Sequence, residues 1–393
     1  MSYRLELIIR RTIEEEDRHP ITVWPVSAQW LRPEPDPPLQ QYARLHLSNE
    51  AFQTLLTLKS DPVQYGQYLG KLLFADDNLK EFFIQALSGS KPQLRVLLTV
   101  ESDQLRGLRW ERVAARIEGD WRIMARHQRT PFSLFIPSII DRPFQLLRYN
   151  DLRALIVAAN PAEDNSFELH RFDLKQMVGA VRSGLGDIPS DLLAVGEEAI
   201  GPPTLDTICA QLTRTYYPLL HLTCHGVVTP DGETIIYLTD QHEQVIPVPA
   251  GEFLRRLNSV GGAHGLPHLA FLNICDSATE RFETDKALDS LARRMLSQLG
   301  LRAVVAMADK VSFTTAITLG DAFYKYLRET GEVDYALVEA CAGIGGNPDA
   351  TVPVIYSRIG WQRLFNPASD DTLSDSELVC ALDAAAPLMM NVN

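Results

Sequence analysis

The residues of this sequence best suited to chemistry are a histidine and a cysteine fifty positions apart, His225 and Cys275. Each follows an apolar run: PLLHLTC (218–224) leads into His225-Gly226, and LAFLNI (269–274) leads into Cys275-Asp276-Ser277-Ala278. A thiol becomes an effective nucleophile when a neighbouring imidazole takes or stabilises its proton, and a glycine beside the histidine lets a backbone N–H approach a developing oxyanion. A plainer account exists for both. Free cysteines are often small buried hydrophobes, and a loop histidine is often simply hydrogen-bonded. Placement at two strand ends, followed by turn formers, favours chemistry, but spacing alone leaves both accounts open.

Those two residues need a scaffold, and from about residue 150 the chain alternates strands with helices, the pattern of a mostly parallel sheet covered on both faces. Apolar runs predict strands at 152–159, 191–195, 218–224, 269–275, 302–308 and 352–357. Helical periodicity falls at 174–181, 205–212, 253–257, 287–299, 314–327 and 333–341, and ETIIYLTD with EQVIPV reads as a hairpin. In such sheets sites form beyond the carboxyl ends of the strands. Before this part lies a smaller α+β segment. It has strands at 3–10 and near 21–26, a Pro-rich connector RPEPDPPLQQY, two helices within 63–87 and the strand LRVLLTV. The expected organisation is 1–149 as an amino-terminal domain, 150–366 as the α/β domain and 367–393 as an acidic tail. No repeat of 20 to 50 residues is visible.

With 37 Lys and Arg against 50 Asp and Glu, the net charge of −13 opposes a phosphate backbone, so nucleic acid is not the expected partner. No apolar run reaches the roughly 18 residues of a spanning helix, and the start is too interrupted for a signal peptide. A cytoplasmic protein without membrane attachment is expected. Five scattered cysteines without CxxC pairs predict neither a disulfide framework nor a thiolate zinc site.

Other motifs carry less. His221 and His225 are four apart, but HLTCH lacks the glutamate of HExxH and lies on a strand, so metal catalysis is not expected and His221 reads as a core histidine. His264 and His268 are separated by Pro267, which forbids a regular helix and leaves a loop. CAGIGG (341–346) follows a helix, where it reads as a stop and turn. AANPAED after the first strand of the sheet has no GxGxxG, and no serine sits in GxSxG. No cofactor is implied.

From Leu152 to about Phe365 the chain resembles the CHAT family of bacterial caspase-like peptidases, within the caspase, gingipain and separase group. The resemblance rests on LLHLTCHG, LAFLNICDSA, GLRAVVAMADKVSFTTAITLGDAFYKYL and VPVIYSRIGW, preceded by LRVLLTVESDQLRGLRWERV. His221 and His225 fit the family's HxxxHG pattern, and a fifty-residue interval also separates histidine from cysteine in caspases. The resemblance implies His225 as general acid/base, Cys275 as nucleophile, and the backbone N–H groups of Gly226 and Cys275 as the oxyanion hole. Two departures stand out: Ala308-Asp309-Lys310-Val311-Ser312 where an aromatic-proline pair is common, and Asp276-Ser277 where threonine commonly follows the acid.

The implied function is a cysteine endopeptidase that cuts a protein partner as a regulated effector in bacterial defence or cell death. The rivals are a catalytically silent binding module of the same fold and a ligand-sensing domain. Glu163, Asp164, Asp276 and Asp309, against Lys310, predict a pocket that favours a basic residue before the cut. A separate activating protein is expected, acting on loops 276–285 and 308–313. Leu108 and Trp110 are expected to pack the amino-terminal part against the sheet.

Overall fold

The computed structural model describes residues 2–11, 21–137, 146–229, 233–260, 265–276 and 287–368. The amino-terminal part contains β1 (Tyr3–Ile9), β2 (Ile21–Leu31), β3 (Leu39–Ser48), α1 (Asn49–Thr57), α2 (Pro62–Leu73), α3 (Asp77–Gly89), β4 (Leu94–Val100), β5 (Ala114–Ile117), β6 (Asp120–Ile123) and β7 (Phe132–Phe135). The remainder contains β8 (Ala154–Ala158), α4 (Leu174–Leu185), β9 (Ser190–Leu193), α5 (Leu205–Arg214), β10 (Leu219–Val228), β11 (Thr234–Thr239), β12 (Val245–Pro249) and α6 (Ala250–Ser259). It continues with β13 (Leu269–Asp276), α7 (Ala287–Leu299), β14 (Ala303–Met307), α8 (Phe313–Thr330), α9 (Val333–Gly343) and β15 (Pro353–Ser357).

Among the described residues one large, mostly parallel sheet runs β12-β11-β10-β13-β14-β15-β7-β4-β1-β2-β3, with β8 and β9 branching from β10. Helices cover both of its faces. Alternate residues of each buried strand point to opposite sides. Leu220, Leu222, Leu272 and Val304 meet α5, α6 and α7, whereas Leu219, Phe271, Val305 and Ile355 meet α4, α8 and α9. The amino-terminal strands extend the same sheet, because Leu134 and Phe135 of β7 pair in parallel with Tyr356 and Ser357 of β15. Trp110 is fully buried and donates its indole N–H to the Leu105 carbonyl, while Leu108 packs on the same core.

The expected strands and helices of the α/β part are all present, with two differences of consequence. The strand expected at 218–224 continues through His225 to Val228, because β11 pairs antiparallel with residues 225–228. The last strand, β15, lies antiparallel to β14. In the amino-terminal part the Pro-rich segment ends where β3 begins, so β2 and β3 form a hairpin, and α1 follows on the Ser48 cap. Two helices that open toward the site are capped: Asp173 accepts from Gln176 N at 2.9 Å for α4, and Ser312 from Thr315 N at 3.3 Å for α8. Such caps contribute about 1 kcal/mol each. His264, the segment from Ser277 and the acidic tail from residue 369 lie outside the described residues.

Candidate active site

Along β10, parallel pairing with β13 sets Leu219 opposite Leu269, His221 opposite Phe271, and His225 opposite Cys275. On its other edge β10 pairs with β8 only as far as Thr223 opposite Ala158, after which β11 takes over with His225 opposite Tyr237. His225 therefore sits where a parallel neighbour gives way to an antiparallel one. The chain leaving β8 peels away at Ala159, whose N–H still bonds the Thr223 carbonyl, and the loop 160–173 crosses over His225.

That loop is held by side chain to backbone bonds that suit its asparagines. Asn160 clamps Phe172, accepting from its N–H and donating to its carbonyl, both at 3.0 Å. Asn165 donates to the carbonyls of Ala162 and Leu169 and accepts from the N–H groups of Phe167 and Leu169. Arg171 makes a two-point ion pair with Glu243 in the β11–β12 turn, and Ala162 N bonds the Glu243 carbonyl.

The clamp brings the His170 carbonyl to 2.7 Å from His225 Nε2. A carbonyl only accepts, so Nε2 carries the proton and Nδ1 holds the lone pair. Phe172 walls the ring, with centroids 6.3 Å apart. The imidazole is 8% exposed, and Nδ1 is buried with no hydrogen-bond partner among the described residues. Burial lowers the His225 pKa below 6.5; the bond to the His170 carbonyl pulls the other way. The result is a neutral imidazole whose Nδ1 is a ready proton acceptor.

Gly226 pairs with Asp276 on β13, and a Cβ there would stand 2.6 Å from Ile274 Cγ2. Glycine is needed for close packing of β10 on β13. His221 is a core residue, bonded to Tyr324 Oη and Thr223 Oγ1 at 3.1 Å each and stacked on Phe271 at 5.0 Å. Burial holds its pKa down to about 3. His268 shares a 2.7 Å hydrogen bond with Tyr216 Oη in a loop. Among the other cysteines, Cys209, Cys224 and Cys341 are buried, and burial pushes the Cys341 thiol up to about 12.

The acidic residues expected near the nucleophile fall in different places. Glu163 and Asp164 are exposed on the loop that covers His225. Asp276 is the last residue of β13. Asp309, 40% exposed, lies just beyond β14 and is held by Arg112 Nη2 at 3.1 Å and Arg109 Nη1 at 3.7 Å. Its charge is thus answered within the chain. The His170 carbonyl, Phe172 and these arginines escaped the sequence reading. A backbone carbonyl leaves no residue signature, although the paired asparagines of the loop were a usable sign of a fixed conformation.

The CHAT domain family model matches residues 64–349. Similar solved structures include the Arg-specific cysteine proteinase gingipain R, with a TM-score of 0.41 and 11% identity over 73% of this chain and 68% of that one. The complex of the pro- and mature domains of Porphyromonas gingivalis RgpB has a TM-score of 0.40 and 11% identity over 73% and 70%. The Saccharomyces cerevisiae separase–securin complex has a TM-score of 0.37 and 13% identity over 81% of this chain and 20% of that one. No curated protein sequence matches the chain. No helix among the described residues is long and apolar enough to cross a membrane. The family match spans well over half the sequence: the chain belongs to the CHAT domain family.

Proposed function

We propose that the chain is a cysteine endopeptidase with Cys275 as nucleophile and His225 as general base and acid. The observation that carries this reading is the register pairing of Cys275 with a buried, neutral histidine whose Nε2 is tied to a carbonyl and whose Nδ1 is left for a proton. The Cys275 proton passes to Nδ1 as sulfur attacks the scissile carbonyl carbon, and the Gly226 and Cys275 N–H groups receive the oxyanion. The imidazolium, steadied by the His170 carbonyl, returns its proton to the departing amine as the C–N bond breaks, leaving a thioester. Water, deprotonated at Nδ1, then releases the acid and restores the thiol.

The substrate is one or a few protein partners, and the role is that of a regulated bacterial effector in the cytoplasm, switched on by a separate protein. This part of the proposal rests on the family resemblance. Residues 150–366 form the catalytic part and 1–149 its support. Glu163, Asp164 and Asp276 support a basic residue before the cut; Asp309, already paired, adds little to that preference. Labelling with peptidyl electrophiles carrying Arg, Lys, Asp or Leu at the reacting end, followed by mass spectrometry, tests the reading. Modification of Cys275 that is lost in His225→Ala supports it. An inert Cys275 across the whole panel, with and without the host lysate, refutes it.

A further inference from the structure

The amino-terminal part supplies none of the proposed catalytic groups, yet it reaches the height of the site. β13 and β14 pair from Leu269 with Ala303 to Leu272 with Ala306, and continuing that count brings Asp309 level with Cys275. Residues 308–312 thus form the loop that follows β14, the neighbour of the strand that carries Cys275. Its far end is fixed by Ser312, whose N–H bonds Asp349 at 3.0 Å and whose side chain caps α8. At the near end, Ala308 N bonds the Val352 carbonyl, and the Asp309 side chain reaches the two arginines.

Those arginines are held from behind. Arg112 is 2% exposed and donates through Nη1 to the Lys59 carbonyl at 2.7 Å, with its guanidinium 6.0 Å from the Tyr65 ring. Arg109 is bonded through Nε to buried Glu111, and its backbone N–H donates to Tyr65 Oη at 3.0 Å. The segment they belong to is pressed against α2. A Cβ at Gly66 would lie 2.1 Å from the Arg112 carbonyl oxygen, and one at Gly70 would lie 1.9 Å from that of Ala114. Only glycines let the helix come so near. Arg109, Arg112 and Glu111 are buried and together carry a net charge of +1, which the half-buried Asp309 carboxylate balances.

We propose that Arg112, supported by Arg109, is a positioning residue of the candidate peptidase site, holding the 308–312 loop beside Cys275 through the Asp309 carboxylate. The inference rests on the peptidase reading of that site. It gives the amino-terminal part a defined mechanical role, in which α2 and the segment it packs against form a rigid back-stop and the ion pair is the point where that rigidity is passed to the cleft. An activating protein that bound α1 to α3 would have this contact available as its route to the nucleophile.

The test uses the full chain and the variants Arg112→Met, Asp309→Asn and Asp309→Glu, with melting temperature as the check on folding. Two readings are taken: amide hydrogen exchange across 308–312, and the second-order rate of Cys275 modification by the best peptidyl electrophile. The expected result is that Arg112→Met and Asp309→Asn each speed exchange in 308–312 by tenfold or more and slow labelling by tenfold or more, while exchange in β8 and β10 stays within twofold. Asp309→Glu, which keeps the charge, recovers most of both. Exchange in 308–312 that ignores both charge-removing variants, or that changes only in step with the whole sheet, overturns the positioning role. A Cys275 that stays unlabelled in the native chain both with and without the host lysate instead overturns the peptidase reading, and the exchange result stands apart from it.

Discussion

His225 and Cys275 are register partners on adjacent parallel strands, and the pairing of β10 with β13 ends one residue later at Gly226 and Asp276. The site therefore needs no long-range coincidence to form. Once the two apolar runs LLHLTC and LAFLNI pair in register, the backbones of His225 and Cys275 are set side by side at the lip of the sheet. What remains is to orient the ring, and the loop 160–173 does this through one carbonyl.

Replacing Cys275 with Ala is expected to reduce proteolysis by about a thousandfold or more while leaving the melting temperature unchanged. Cleavage of a verified partner protein, read on a gel, checks it. A variant that kept its activity would place the nucleophile elsewhere.

The acid limb of activity is expected below pH 6.5. Burial lowers the His225 pKa, so the neutral base persists into weakly acidic solution. Removing the wall with Phe172→Ala hydrates the imidazole and should move the inflection upward toward 6.5. The pH profile of Cys275 alkylation reads both. An unshifted limb in the variant would show that Phe172 does not set the desolvation.

Acid stability follows the same histidines with a definite sign. His221 has a folded pKa near 3 against about 6.5 unfolded, so above 6.5 it contributes no pH dependence. Below 6.5 the unfolded chain takes up a proton that the native state refuses, and stability falls by about 1.4 kcal/mol per pH unit, roughly 2 kcal/mol by pH 5. Urea unfolding of the native chain and His221→Gln between pH 7 and pH 5 should show the shallower slope in the variant. Parallel slopes would contradict the burial argument.

Much of this was legible in the sequence, for physical reasons that differ by element. Fully buried strands must be apolar throughout, so β8, β10, β13, β14 and β15 were readable as continuous runs. Cys275 and His225 stood out because turn formers followed them. β3 was hidden behind the Pro-rich turn at 32–38, and β5 to β7 are four residues each, too short for periodicity to show. The Arg112 to Asp309 contact spans 197 residues, and no local pattern announces a pairing of that range. The extension of β10 past His225 depended on β11 closing back on it, a tertiary choice.

Asn160 is 6% exposed, and its two bonds to Phe172 anchor the loop that presents the His170 carbonyl. Asn160→Ala leaves both backbone groups of Phe172 without that partner. The expected loss is about 1–3 kcal/mol of stability, with a larger proportional fall in Cys275 labelling because the His225 ring loses its fixed tautomer. Asn160→Asp keeps the acceptor for Phe172 N–H but sets a second oxygen against the Phe172 carbonyl in a buried site, so it should lose both as well. Labelling that falls no further than stability does in either variant would show that the loop does not orient His225.

Gly226 offers the sharpest test of packing at the site. A methyl group there meets Ile274 Cγ2 at 2.6 Å, well inside contact distance, and Ile274 is fully buried between β13 and the helices α5 to α7. Overpacking of this kind costs about 1–3 kcal/mol and forces strands apart. Gly226→Ala should therefore lower the melting temperature and slow Cys275 labelling together, because the displaced strand carries His225. Ile274→Ala alone opens a cavity and is destabilising by about 2–5 kcal/mol. In the double variant the new methyl enters the space the isoleucine left, so the two effects should be less than additive by at least about 1 kcal/mol. Strict additivity in a double-mutant cycle would mean that the clash is relieved by backbone movement elsewhere, and that glycine at 226 answers to the oxyanion rather than to β13.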